Sequence, residues 1–197
     1  MNKNKSKSKQ SFRIEFQVGR GASGSVYKGK LIHPIRDIKI GTDIAVKTIH
    51  PELLNSKTVL ARLKREVEIG IRVRSRYIVG IYGVEKYVSH GQTTLAILME
   101  YIDGESLKKW VGTKELISEE KLISIALQIA RGLHTIHSMG IVHRDIKPAN
   151  LMITPQNRVV LTDLGIARLS DISARITATG AFIGTCTYAS PEQFIST

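Results

Sequence analysis

The sequence contains one cysteine, Cys186, so an internal disulfide is excluded and a reducing compartment is expected. Proline is scarce, with 5 residues, and glycine stops at 16, which excludes collagen-like or long low-complexity organisation. No long hydrophobic run is present. The longest, Leu95 to Met99, falls far short of the roughly 20 residues that cross a bilayer, so no membrane span is expected. A secretory leader needs an apolar segment after its basic start, whereas the segment here, Phe12 to Val18, carries charges; no export signal is expected and the location is read as cytoplasmic. Acid is also in short supply. Asp and Glu number 17 against 29 Lys and Arg, a net charge of +12 that suits polyphosphate, nucleic acid or an anionic surface. Lys3, Lys5, Lys7 and Lys9 alternate with polar residues in a tail, residues 1–11, that reads as disordered.

What is present is globular: 42% hydrophobic and 23% charged residues, enough for one domain or two small lobes. Short apolar and β-branched runs from Phe12 to Lys30 flank a glycine-rich turn, and another run covers Thr42 to Ile49, which predicts a β-meander. The Leu31 to Gly41 connection is long for a hairpin and reads as a mobile excursion. Leu60, Leu63, Val67 and Ile71 recur at helical spacing with a basic opposite face. Strands are predicted over Ile78 to Val88 and Thr93 to Tyr101, joined by a turn at Ser89 to Gln92. Ser118 is placed to cap a helix with Glu119 and Glu120 in its first turn. Leu122, Ile125, Ala126, Ile129, Ala130, Leu133 and Ile136 form its apolar stripe, and Gly140 ends it. Short β-like segments follow at Ile141 to Val142, Leu151 to Ile153 and Val159 to Leu161, and then a Ser/Thr/Ala-rich stretch from Ser170 to Thr187.

Three motifs carry chemistry. Gly19-Arg20-Gly21-Ala22-Ser23-Gly24-Ser25-Val26 sits between two predicted strands, where glycines let backbone N–H groups approach phosphate oxygens; the same pattern also serves purely conformational turns. Lys47 ends the apolar run Ile44-Ala45-Val46, and Glu66 on the next helix is a carboxylate suited to hold it; a solvated helix charge is the alternative for Glu66. His143-Arg144-Asp145-Ile146-Lys147-Pro148-Ala149-Asn150 followed by Asp163-Leu164-Gly165 is the third motif.

At these spacings the sequence resembles the Hanks-type protein serine/threonine kinases, over roughly Phe12 to Phe194. A further match, Gly184-Thr185 through Ser190-Pro191-Glu192, resembles the end of a kinase activation segment. The resemblance implies an α+β fold, with a β-rich N-lobe over 12–99, a hinge at 100–104 and an incomplete helical C-lobe over 105–197. It also implies ATP and Mg²⁺ as cofactors and protein Ser/Thr hydroxyls as substrates. Asp145 is then the acceptor of the hydroxyl proton and Lys147 neutralises the transferring phosphoryl group. Lys47 and Glu66 are an ion pair against the phosphates, and Asn150 and Asp163 hold magnesium. Glycine-loop residues 19–24 line the phosphates. Val26, Ala45 and Met152 enclose adenine, Met99 is the gatekeeper, and Glu100 to Ile102 pair with adenine through their backbone. Arg144 implies control by phosphorylation of the activation segment, with Thr177 and Thr179 as the sites.

The chain departs from the family pattern in three places. Leu164 stands where the metal motif usually has Phe. Gly70, four residues after Glu66, stands where an apolar packing residue is usual, so it is expected to contribute no packing. The chain also ends just after the activation segment, so a partner or a further C-terminal segment is expected to cover the 118–139 helix. A truncated, catalytically silent ATP-binding or scaffold protein is the alternative reading. A nucleic-acid-binding domain is not expected, because the arginines between Arg62 and Arg76 lack interleaved aromatics. His134, His137 and His143 are read as structural rather than as a metal cluster, and Cys186 as inert.

Overall fold

In the β-rich part of the chain, apolar residues alternate with polar ones, so each strand has one side to bury. The computed structural model describes residues 10–21, 23–89, 91–111, 113, 117–164, 188 and 190, with the side chains of Arg62 and Ser89 left aside. Two compact units form, one from Met1–Asn55 with Tyr82–Tyr101 and the other from Ser56–Ile81 with Ile102–Thr197. The segment 56–81 thus groups with the second unit, which differs from an N-lobe drawn as 12–99.

The first unit is a sheet of five strands: β1 (Phe12–Gly21), β2 (Gly24–Leu31), β3 (Asp43–Ile49), β4 (Ile81–Ser89) and β5 (Gln92–Glu100), in the order β1-β2-β3-β5-β4. The pairs β1–β2, β2–β3 and β3–β5 are antiparallel. Phe12, Leu31, Ile44, Val46, Ala96 and Leu98 form its core, with Tyr27, Tyr82 and Tyr87 against it. Ser11 anchors the start of β1. Its amide lies 3.0 Å from a Glu85 carboxylate oxygen, its hydroxyl bonds the other oxygen, and its carbonyl accepts from Ile32 and His33.

The expected mobile excursion between β2 and β3 is instead a hydrogen-bonded turn. Ile35 and Ile38 form a bridge, Leu31 N–H bonds Thr42 O at 3.0 Å, and Gly41 N–H bonds Leu31 O at 2.8 Å. Its length is taken up by backbone pairing that a loop-length argument does not see.

In the second unit, Ser56 caps α1 (Lys57–Arg72) by accepting from Val59 N–H. The buried positions are Val59, Leu63, Val67 and Gly70, a line rotated slightly from the predicted one. Ile78 is not in a strand with the residues after it. It forms a parallel bridge with Leu161, and Val79 N–H bonds Leu161 O at 2.9 Å. A three-stranded sheet contains β6 (Glu105–Ser106), β7 (Leu151–Ile153) and β8 (Val159–Leu161). The Ile141 to Val142 segment predicted as β-like is in no strand.

Between β6 and α3 (Glu119–His137) lies the short α2 (Leu107–Trp110). Ser118 accepts from Lys121 N–H and caps α3 as its sequence predicts. Only Ile125, Gly132 and Ile136 of this helix are buried, because Gly132 lets it approach Leu161 Cδ1 and Tyr77. Leu122, Ala126 and Ala130 of the predicted stripe are exposed. Among the described residues no helix is long and apolar enough to cross a membrane.

Candidate active site

The glycine-rich turn joins β1 to β2, with Gly19 opposite Val26, Arg20 opposite Ser25 and Gly21 opposite Gly24. Its glycines are not equivalent. A Cβ on Gly24 would run into the Thr48 carbonyl oxygen of β3, so close strand approach dictates that residue. Around Gly19 and Gly21 there is open space, and packing places no demand on either. Ala22 lies outside the described residues.

The ladder register sorts the candidate nucleotide residues of this unit onto one side. Val26 lies opposite Lys47, which lies opposite Ile97; Lys28 lies opposite Ala45, which lies opposite Met99. Residues directly opposite share a face, and so do residues two apart. Val26, Ala45, Lys47 and Met99 therefore lie on one face, while Ile44, Val46, Ala96 and Leu98 fill the core on the other. Lys47 is 5% exposed, which takes an ammonium largely out of water and requires compensating partners. Beside it Lys28 bonds Asp43, which raises the lysine pKa, and Lys30 and Lys28 together hold the Asp43 carboxyl below its usual range. Glu100 ends β5, and the chain passes into the second unit between Tyr101 and Ile102.

In the second unit the 143–150 loop is held by its own side chains. Asn150 Nδ2 donates to Asp145 Oδ2 at 2.7 Å and to Asp145 O at 2.8 Å, and Lys147 Nζ lies 2.9 Å from the same Oδ2. His143, 1% exposed, has Nε2 3.0 Å from Thr162 O, while its Nδ1 faces the Asp145 amide at 3.4 Å. That pattern requires the Nε2–H tautomer, because a carbonyl can only accept and the amide only donate. Burial lowers the His143 pKa, against smaller opposing effects of the Thr162 bond and of Asp145 and Asp163.

Two non-glycine residues here sit at positive φ, Arg144 at 64° and Asp163 at 53°. Each costs on the order of 1 kcal/mol in backbone strain. They bracket the candidate catalytic and metal residues.

Sequence reading missed Thr162 and Ser106. Thr162 bonds Asn150 O through its amide at 2.9 Å and its hydroxyl at 3.2 Å, tying the 150 and 162 segments together. Ser106 Oγ donates to Pro148 O at 3.1 Å. A lone Ser or Thr outside a motif gives no signal in sequence; only the pairing of β6, β7 and β8 brings these two to the loop.

The structure thus brings Asp145, Lys147 and Asn150 together, with Asp163 next to Thr162. Met152 lies in β7 and Glu66 half-buried on α1, both within the second unit. Glu66 therefore belongs to a different compact unit from Lys47. Gly165, Thr177, Thr179, Cys186 and Glu192 lie outside the described residues.

The protein kinase domain family model matches residues 12–196. A probable serine/threonine-protein kinase of Clostridium acetobutylicum is 36% identical over 92% of this chain and 26% of its own length. Mitogen-activated protein kinase kinase 7 of Arabidopsis thaliana is 36% identical over 91% of this chain and 53% of its own. Serine/threonine-protein kinase PknB of Mycobacterium leprae is 36% identical over 82% of this chain and 26% of its own. Among solved structures, the kinase domain of Mycobacterium tuberculosis PknI matches with a TM-score of 0.63 and 26% identity, over 80% of this chain and 60% of that one. The chain spans about a quarter of these bacterial relatives and about half of the plant one.

Proposed function

Since the chain belongs to the protein kinase domain family, we propose that it transfers the γ-phosphoryl group of ATP to Ser or Thr hydroxyls of proteins. One observation carries the reading: Asp145 is held through both its carboxylate and its carbonyl by Asn150, with Lys147 on the same carboxylate oxygen. Positioning and charge neutralisation do most of the work in phosphoryl transfer, and this loop supplies both.

Because both contacts fall on Oδ2, Oδ1 is assigned the proton of the incoming hydroxyl. The hydroxyl oxygen then forms a bond to γ-phosphorus as the bond to the β-phosphate oxygen breaks, leaving ADP and a phosphoester. Lys147 offsets the charge on the moving group. Gly19 and Gly21 present backbone N–H groups without side chains in the way, and Lys47 supplies a cation on the face shared with Val26, Ala45 and Met99.

The donor set fits magnesium. Asn150 spends its nitrogen on Asp145, which leaves its amide oxygen for a hard cation, and Asp163 adds a carboxylate. When bound, the ion supplies charge neutralisation on the phosphates. Arg144 is assigned to pairing with a phosphate on the activation segment, at Thr177 or Thr179. A cytoplasmic location is part of the proposal and rests on the single cysteine.

The test is transfer of γ-phosphate from radiolabelled ATP to a general protein substrate in the presence of magnesium. Asp145→Ala and Asp163→Ala serve as controls. Transfer well above both variants is the expected result. ATP binding without transfer above them would instead establish the silent ATP-binding reading.

A further inference from the structure

Outside the candidate active site, α3 carries a second apolar line that lies apart from the predicted stripe. Ile123 and Leu127 are 52% and 53% exposed, and at helical spacing they share a side of α3 with Glu120 and Arg131. They do not float in open solvent. They form one wall of a cavity of about 660 Å³ whose other walls are the 76–77 segment and the turn between β7 and β8 with Asn157 and Arg158. A second cavity of about 490 Å³ adjoins it, sharing Arg76, Tyr77, Leu127 and Arg131 and reaching Thr135. From Glu120 to Thr135, at 1.5 Å per helical residue, the groove runs about 22 Å. That accommodates about six or seven residues of extended chain.

Its charge is one-sided. Among the described residues, the groove is lined by Arg76, Arg131 and Arg158 and by a single carboxylate, Glu120. The guanidinium groups are arranged around one tyrosine and its backbone. Arg131 Nη1 lies 3.3 Å from the Tyr77 hydroxyl, the Arg76 guanidinium stands 5.7 Å from the Tyr77 ring, and Arg158 Nη1 approaches Arg76 O at 3.5 Å. Gathering like charges along a groove costs free energy that an anionic ligand recovers, and guanidinium is the cation best matched to carboxylate geometry. A small inorganic anion would leave Ile123 and Leu127 unused. Nucleic acid would want stacking surfaces, and among the described residues the groove offers only Tyr77, half-buried.

We propose that this groove docks an extended acidic segment of a partner protein. Its carboxylates pair with Arg76 and Arg131, and one or two of its apolar side chains settle against Ile123 and Leu127. The groove contains none of the residues assigned to phosphoryl transfer, so docking does not depend on that assignment.

The test uses the full chain and a fluorescent seven-residue peptide alternating Glu and Leu, followed by anisotropy at low and high salt. Lys/Leu and Glu/Ser peptides serve as comparisons. The Glu/Leu peptide is expected to bind best, more weakly at high salt, with R131E and R76E each reducing affinity at least tenfold and L127S reducing it severalfold. Asp145→Ala is expected to bind unchanged, which separates docking from transfer. Since all the altered groove residues are exposed, circular dichroism should show unchanged folding in each. The proposal is overturned if the Lys/Leu peptide binds equally well, or if R131E and R76E leave Glu/Leu binding unaltered. It is also overturned if phosphatidylserine vesicles bind with this residue dependence while the peptide does not.

Discussion

The side-chain amide of Asn150 donates both to the Asp145 carboxylate, at 2.7 Å, and to the Asp145 backbone carbonyl, at 2.8 Å. One residue thereby fixes where the candidate base stands and which of its oxygens is already engaged. Replacing it by Ala removes both bonds at once. Asn150→Ala is expected to lower the transfer rate by about 100-fold or more, the scale of a displaced general base. It should also raise the magnesium concentration needed for half-maximal rate. Unfolding in urea should show a loss of about 1–2 kcal/mol. A wild-type rate in this variant would remove the central assignment.

The glycine turn separates conformational from functional glycine. Gly24→Ala is expected to destabilise the first unit by about 2 kcal/mol or more, because a methyl group there meets the β3 backbone rather than a side chain that can move. Gly19→Ala has room for its methyl and should leave the melting temperature nearly unchanged while weakening ATP binding. If the two variants melt alike, the distinction is wrong.

Gly70 was expected to contribute no packing, and the structure corrects that. It is buried, and the Ile81 δ-methyl group occupies the space its side chain would take. Gly70→Ala therefore sets a gain in helix propensity of about 1 kcal/mol against overpacking of about 1–3 kcal/mol, for a net loss. Ile81→Val removes the δ-methyl. The double variant Gly70→Ala/Ile81→Val should be more stable than the sum of the single changes allows, which a double-mutant cycle in urea measures directly.

His143 makes stability depend on pH. Its folded pKa lies below the unfolded value of about 6.5 because burial disfavours the imidazolium. As pH falls through about 6.5, the unfolded chain takes up the proton first, so this contribution is present at neutral pH and lost on acidification towards the lower folded value. Urea midpoints at pH 7.5, 6.5 and 5.5 should decline more steeply for the natural chain than for His143→Gln, which cannot titrate there. Parallel declines would count against it.

Much of this was legible in sequence because the signals were local. Ser118 announces its cap, strand alternation announces the meander, and the 143–150 motif carries its residues at spacings that leave few other readings. What was not legible depends on contacts between distant segments. Nothing near Ser106 or Thr162 indicates a role, because strand pairing recruits them. Ile78 reads as a strand residue by composition, yet it pairs with Leu161 far along the chain. The α3 pattern was misjudged for a similar reason: Leu, Ile and Ala occupy more than one side of that helix, and only Gly132 against Leu161 shows which side is inward.

Because Ser56–Ile81 belongs to the second compact unit while the strands on either side of it belong to the first, neither unit is a contiguous stretch of chain. During synthesis the first three strands would emerge long before β5, the partner of β3, and α1 would emerge before the later segments of its own unit. Val59, Leu63 and Val67 are buried in a unit that is complete only once the chain beyond Ile102 has been made. Each unit therefore closes only after a stretch of the other has been made, and chaperone dependence should be concentrated in that interval.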